Sequence, residues 1–488
     1  MDNKKYAVIL AAGDGKRMKS DKPKVLAEVL FQPMLRWVLD VVKQAGVDNT
    51  AVIVGAHKEQ VTAYLDTLGE YPAFEQKERL GTGHAVMQAK SFIEKAQADN
   101  ADILVACGDA PFIDADTITG SYEYHKNSGN DVTVVSAIVD NPAGYGRIIK
   151  ENDTFKAIVE QKDCDSEQAK VKEINSGIYW FKAEKLSGLL DKLVNNNAAG
   201  EYYLTDTVAV AEKKGVYTAD STDVVLGANS RSQLAALNEV ARKRKLAELM
   251  DDGVDIPLSD GIIIGKDVKI GHDTVILPNT IIKGKTVIGN GCEIGPNSYI
   301  ADCVIEDNVI LNNVQAHESK VDSKAKAGPF VHLRPNTHLH SGVKIGDFVE
   351  VKNSEIGINT CIAHLIHVDA HGIRCLRMLA AGTQTQAEAG LIQHDIADDE
   401  QDDAQRHKDA QFQLADAEQE RLVGVVQLGA AALAEVFGDD HGNGGGQQVQ
   451  GCAADGLIRL QVDGGKGQQQ AVHHTGQCRH QNRDQHHE

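Results

Sequence analysis

Isoleucine recurs every sixth residue in one stretch of the chain, at Ile264, Ile270, Ile276, Ile282, Ile288, Ile294 and Ile300. Two residues before each of the last six stands a small or β-branched side chain: Val268, Thr274, Thr280, Thr286, Cys292 and Ser298. A period of six is neither the 3.6 of a helix nor a bare alternation. It requires short strands joined by turns that return the chain to the same relative position every six residues. That is a parallel β-helix of hexapeptide repeats, with the isoleucines stacked inside. The phase slips after Ile300, resumes at Leu333, Leu339, Ile345 and Val351, and slips again to Ile356 and Ile362. A repeat domain over 254–370 follows.

The chain changes character on both sides of this repeat. Over 1–228, β-rich runs such as YAVIL (6–10), AVIVGA (51–56), ILVACG (103–108), VTVVSAIV (132–139) and GIYWF (177–181) alternate with helical patterns at 35–46, 83–96 and 186–194. Strands separated by helices predict a mostly parallel α/β sheet, whose ligands bind at the carboxyl ends of the strands. A polar helix with a Leu/Ala face is expected within 229–253. It reads either as a linker or as the terminal helix of the first domain. Residues 371–488 contain no Ser, Pro, Tyr or Trp but hold 19 Gln and 9 His. Two readings fit that bias. One is a tail derived from a frameshift or an antisense frame. The other is a disordered, His-rich accessory segment. The tail histidines His473, His474, His486 and His487 match no specific metal-site spacing.

Charge and cysteine usage narrow the function classes. A net charge of −20 argues against a broad nucleic-acid surface. No run of about 18 apolar residues is present, so no membrane-spanning helix is expected. The apolar stretch near the N-terminus is too short for a secretory signal. The eight cysteines are scattered without a CxxC pair, as expected of a reducing cytoplasm.

The chemistry concentrates after the first strand, in Leu10-Ala11-Ala12-Gly13-Asp14-Gly15-Lys16-Arg17-Met18, followed by Asp21-Lys22-Pro23-Lys24. Small residues let backbone N–H groups approach a phosphate. Arg17 can hold phosphate oxygens bidentately, and Lys24 adds a point charge. The third glycine of a dinucleotide fingerprint and the GK[ST] of a Walker loop are both missing. The LAAGxGxRM…PK pattern instead resembles the sugar-nucleotide nucleotidyltransferases. Taken with LGTGHA (80–85), GDAPFI (108–113), GYGRI (144–148), EINSGIY (173–179), NNNAAGEYYLTD (195–206), VKNSEIG (351–357) and the hexapeptide repeat, residues 1 to about 368 resemble one family. It is the bifunctional bacterial N-acetylglucosamine-1-phosphate uridyltransferase/glucosamine-1-phosphate acetyltransferases.

The resemblance implies an α/β nucleotidyltransferase (Rossmann-like) domain followed by a left-handed parallel β-helix, here truncated. It implies a Mg²⁺-dependent reaction of UTP with N-acetylglucosamine 1-phosphate that releases pyrophosphate. In it Arg17 and Lys24 act on the phosphates, and Leu10, Ala11, Ala12 and Gly13 form the phosphate loop. Gln76, Gly81 and Thr82 would recognise uracil, while Gly146, Glu160 and Asn175 would hold the amino sugar. Asp109 and Asn229 would bind Mg²⁺. Arg79 and Cys107 stand where the family usually has Gln and often has Tyr.

For the second reaction, acetyl transfer from acetyl-CoA to glucosamine 1-phosphate, His364 matches the general base and Arg334 and Lys352 the sugar-phosphate ligands. His367 replaces the usual Tyr, and no counterpart of the acetyl-CoA contacts follows Ala370. The resemblance further implies a cytoplasmic homotrimer assembled through the β-helix, with neither nucleic acid nor membrane as partner. Two alternatives remain: a nucleotidyltransferase for another sugar 1-phosphate, and a non-catalytic nucleotide-sugar-binding scaffold.

Overall fold

The computed structural model describes residues 4–369, together with the backbone of the later strands Gly372–Cys375, Val449–Ala454 and Leu457–Val462. The chain divides into two units, Met1–Leu376 and Arg377–Glu488. Within the second, Val449–Ala454 and Leu457–Val462 pair antiparallel. The origin and order of the tail, and its paired histidines, lie outside the described residues.

The first unit opens with a nine-stranded sheet built from β1 (Lys5–Leu10), β2 (Asn49–Val54), β3 (Ala73–Glu75), β4 (Asp102–Cys107), β5 (Val132–Ile138), β6 (Arg147–Glu151), β7 (Thr154–Val159), β8 (Glu173–Lys182) and β9 (Lys214–Thr218). The main order is β9-β5-β8-β4-β1-β2-β3, with the β6–β7 hairpin joined to β8. The sheet is mostly parallel as expected; β8 runs antiparallel to both β4 and β5, and the β6–β7 hairpin is antiparallel. The strands read as unbroken apolar runs because both sides of the sheet are covered. Tyr6 and Val8 of β1 pack on one side with Phe92 and Ile93. Ala7 and Ile9 pack on the other with Leu35 and Val38 of α1 (Met34–Gln44). Helix α1 buries Leu35, Val38, Leu39 and Val42, the spacing of one helical stripe. Residues 83–96, which read as one helical stretch, form two helices, α2 (Thr82–Met87) and α3 (Lys90–Ala98).

Helix α4 (Arg231–Asp251) serves both readings of its sequence. Its first half places Leu237 and Ala241 against Met34 and Phe112 of the α/β domain. Its last turns place Leu246 and Leu249 at the foot of the β-helix core.

From Ile263 the chain winds through three parallel sheets of two- to four-residue strands. The first face runs from Ile263–Ile264 to Ile366–Asp369. The second runs from Lys269–Ile270 to Glu355–Ile356, and the third from Val275–Ile276 to Cys361–Ile362. Six of the seven isoleucines are 0–2% exposed, and Ile270, near the foot, is partly buried. Burying each such side chain contributes about 1.5–3 kcal/mol before entropy is counted. The small residues two positions earlier, Val268 to Ser298, are also buried.

The phase slips do not interrupt the winding. Ile305, Leu311, Ala316, Val321 and Ala327 continue the inward column through the stretch where the period is lost. A corner that omits one residue makes the spacing five, as from Ile300 to Ile305 and from Val351 to Ile356. From the turn after Ile270 onward, each corner carries a residue in the left-handed region, usually Gly, Asn or Asp, which tolerate it best. At the top, Ile366–Asp369 is met by Gly372–Cys375 running antiparallel. That strand covers the end of the first face only.

Candidate active site

The loop after β1 is held between the ends of two neighbouring strands. Ala11 N–H donates to the Ile53 carbonyl (2.8 Å), and Gly108 N–H donates to the Leu10 carbonyl (2.9 Å). A side chain at Gly55 would strike the Ala12 backbone, and one at Gly15, which adopts φ 60°, would lie 2.8 Å from Lys24 Cβ. The glycines therefore mark places where backbone must approach backbone. Arg17 lies exposed in a short 3-10 turn, Lys16–Met18, and its side chain makes no hydrogen bond or ion pair among the described residues.

Lys24 is the centre of the site. Its side chain is only 12% exposed, and its ammonium pairs with the Asp109 carboxylate. It also donates to Asn229 Oδ1 at 2.5 Å. Asp109 comes from the turn after β4. Asn229 comes from the entrance to α4, where Ser230 caps the helix and the Gln233 side chain accepts from Asn229 N–H at 2.8 Å. Two oxygen donors more than a hundred residues apart thus converge on one positive charge, next to the phosphate-type loop.

A cleft of about 260 Å³ opens beside this cluster, lined by Leu10, Ala12, Gly13, Lys24, Gln76, Gly81, Thr82 and Asp109 among others. Gln76 is buried and donates its amide N–H to the Gly81 carbonyl (2.9 Å), with His84 Nδ1 at 3.2 Å. Its amide oxygen remains available as an acceptor. Gly81 adopts φ 108°, where a Cβ would fall 2.6 Å from the Tyr202 carbonyl. Thr82 accepts the Leu204 N–H at 3.0 Å. Arg79 pairs with Asp14, so that the guanidinium bridges two loops bordering the cleft.

Gly146, Glu160 and Asn175 form a second group. Asn175 N–H donates to the Gly146 carbonyl (2.9 Å), and a Cβ at Gly146 would sit 3.4 Å from Glu160 Oε1. The β8 register shifts between Asn175 and Ile178, a bulge that re-aims Asn175. Asn175 then donates to the Tyr179 hydroxyl at 2.7 Å. Burial pushes the Glu160 carboxyl above its ordinary value, and Asp206, Asp163 and Glu201 add to this, against a hydrogen bond from Thr205. Cys107 lies between the two groups, 3.1 Å from where a Gly177 Cβ would stand. Its thiol is pushed up to about 12, first by burial and then by Asp109.

Sequence reading singled out neither Glu201, which lines the cleft, nor Thr205 and Tyr179, which hold Glu160 and Asn175. The first two lie in the NNNAAGEYYLTD run, which carried the family resemblance without saying which side chain turns inward.

On the β-helix, Arg334 and His367 meet on one carboxylate. Arg334 Nη1 lies 2.8 Å from Glu350 Oε1, and His367 Nδ1 lies 3.0 Å from Glu350 Oε2. Burial raises the Glu350 carboxyl, but these two partners outweigh it and hold it below its ordinary value. Lys352 sits one coil above Arg334 in the first face. His364 lies at an exposed corner. Neither Lys352 nor His364 makes a side-chain contact among the described residues, so the structure does not join them to Arg334.

Comparison with known proteins gives a consistent result. Residues 7–169 match the MobA-like NTP transferase domain. The chain is 44% identical over 367 residues to a protein of Acetivibrio thermocellus, covering 74% of this chain and 78% of that protein. It is 45% identical over 361 residues to one of Fervidobacterium nodosum, with 74% and 78% covered. It is 42% identical over 368 residues to one of Clostridium acetobutylicum, with 75% and 80% covered. All three relatives are named bifunctional protein GlmU.

Proposed function

We propose, from the premise that the chain belongs to the GlmU family of bifunctional enzymes, how its own residues carry the first of the family's two reactions. The chain is a nucleotidyltransferase that converts UTP and N-acetylglucosamine 1-phosphate to UDP-N-acetylglucosamine and pyrophosphate. The convergence of Asp109 and Asn229 on Lys24 beside the phosphate loop is the observation that carries the assignment of roles.

The sugar phosphate is already an anion, so no general base is needed. The obstacle is bringing anions together, and the remedy is neutralisation and alignment. With the Ala11 N–H held by the Ile53 carbonyl, the Ala12 and Gly13 N–H groups are the ones left to meet the triphosphate, and Arg17, exposed and without an ion pair among the described residues, closes on its oxygens. Gln76 offers its amide oxygen to the N–H of uracil. Asn175, aimed by the bulge and held by Tyr179, hydrogen-bonds the amino sugar with Glu160 and the Gly146 backbone.

Mg²⁺ fits the donor set at the centre. A carboxylate and an amide oxygen suit a hard cation, and both already face a positive charge. When bound, the ion screens the phosphate charge. With Asp109 and Asn229 engaged in holding such an ion, the Lys24 ammonium would be free to turn toward the phosphates.

The second reaction is proposed to be weak in this chain. Lys352, on the rung next to Arg334, and His364 make no hydrogen bond or ion pair with the Arg334–Glu350–His367 group, and about a quarter of the chain lies outside the match to the relatives. Assembly as a trimer through the β-helix and a cytoplasmic location complete the reading. Among the described residues no helix is long and apolar enough to cross a membrane.

The test is pyrophosphate release from UTP with N-acetylglucosamine 1-phosphate against glucose 1-phosphate, with Mg²⁺ and with EDTA. Preference for the acetamido sugar and loss in EDTA are expected. Equal use of glucose 1-phosphate would overturn the sugar assignment. Release of CoA from acetyl-CoA with glucosamine 1-phosphate, at a rate matching uridyl transfer, would overturn the second-site reading.

A further inference from the structure

Far along the β-helix, on the outer side of its second face, three ligand-type side chains stand together with no part in either reaction. The strands Lys320–Val321, His338–Leu339 and Glu355–Ile356 are consecutive rungs there, with Lys320 opposite His338 and His338 opposite Glu355. Val321 and Leu339 point inward and are fully buried. Residues two apart on a strand share a side, so His338 and His340 both face outward over one rung. Asp322, from the rung below, is tied to the same place by its N–H, which donates to the Leu339 carbonyl at 2.8 Å. Asp322 is 9% exposed. Its Oδ1 lies 2.9 Å from His338 Nε2 and its Oδ2 lies 3.1 Å from His340 Nδ1. One ligand atom from each of the three lies within 4.8 Å of the others.

We propose that Asp322, His338 and His340 form a binding site for a divalent transition-metal ion of the Zn²⁺, Co²⁺ and Ni²⁺ class. Two imidazoles and one carboxylate favour such ions over Mg²⁺ or Ca²⁺, which prefer all-oxygen sets. Three protein ligands leave at least one position for water. Glu355 Oε2 lies 3.5 Å from His340 Nε2, the ring nitrogen that points away from Asp322. A carboxylate there fixes the tautomer, keeping the proton on Nε2 and the Nδ1 lone pair toward the ion. Lys320 opposes binding, since its ammonium lies 2.9 Å from Asp322 Oδ1. It has another partner at hand in Glu306 Oε1, 3.8 Å away. Holding two ligands on one rung and the third on the next, the ion acts as an external clip between coils.

The test uses the full chain, stripped with chelator and titrated with Co²⁺ while its visible absorption is followed, then with Zn²⁺ in competition. Each variant keeps the nine tail histidines, so any ion they take up is common to all chains and the difference is read. The D322N/H338Q/H340Q chain is expected to lose about one tight equivalent and the corresponding Co²⁺ spectrum, while its pyrophosphate release from UTP stays unchanged. H340Q alone, at a side chain already 30% exposed, guards against misfolding of the triple variant and is expected to weaken binding at least about tenfold. Lys320→Met is expected to tighten it. Equal stoichiometry and affinity in wild type, triple variant and H340Q would overturn the site. A Lys320→Met chain that binds no more tightly would overturn Asp322 as a ligand.

Discussion

Lys24 occupies a position that a divalent cation must contest, and that rivalry sets its expected behaviour. Lys24→Ala removes a charge that serves the transition state, so kcat/KM for uridyl transfer should fall about 100-fold or more. Steady-state pyrophosphate release at saturating Mg²⁺ reads this, and an unchanged rate would remove Lys24 from the mechanism. Glu160 gives a prediction in pH. Burial raises its carboxyl above the ordinary 4.5, so the folded chain keeps a proton that the unfolded chain has released. The associated stability is present below that ordinary value and is lost as pH rises through the raised one. Glu160→Gln should therefore unfold at higher urea than wild type at pH 7, with the gap closing near about pH 4. The phosphate-type loop was legible in the sequence because small residues followed by Arg and Lys leave a local signature. The Arg79–Asp14 pair and the Tyr179 support of Asn175 were not. The first pair joins residues 65 positions apart. The second depends on a bulge, and a bulge has no fixed sequence sign.

The elements show the same division. The period of six was readable because each rung repeats one environment, whereas the five-residue spacings looked like breaks. Periodicity counts residues, while the fold conserves strands and lets a corner lose one. Ile282 is fully buried among its stacked neighbours. Ile282→Ala should cost about 2–5 kcal/mol, measured by urea unfolding of the first unit. The corners carry a second prediction. Lys324 holds φ 66°, at the corner where other coils place Asp273, Gly291, Asn308, Gly342 and Asn359. It is exposed and makes no ion pair among the described residues. Lys324→Asn should raise stability by up to about 1 kcal/mol, since Asn accepts the left-handed region at lower cost. A thermal midpoint equal to or below wild type would contradict that account. The sheet is mostly parallel, as the alternation of strands and helices implied, and antiparallel β8 follows the β6–β7 hairpin rather than a helical crossover.

For the whole molecule, every residue assigned to uridyl transfer lies between Leu10 and Asn229, inside the unit that ends at Leu376. A chain ending at 376 should retain kcat/KM for UTP within about twofold, and a larger loss would give the last 112 residues a part in catalysis. Those residues were legible as different in kind, and nothing in their bias says what they do. The prism itself ends unevenly. Winding is a screw motion, in which each rung is laid down in the same direction as the last. The reversal between Asp369 and Gly372 breaks that motion on one side, because a strand running backward presents the wrong polarity for another parallel rung. Among the described residues, the other two sides end in forward-running strands with no further strand on their rims, Glu355–Ile356 and Cys361–Ile362. Among the described residues the rod is thus stoppered along one edge and open along two. Any chain recruited end-on would have to start its own winding on the second or third face, out of step with the first.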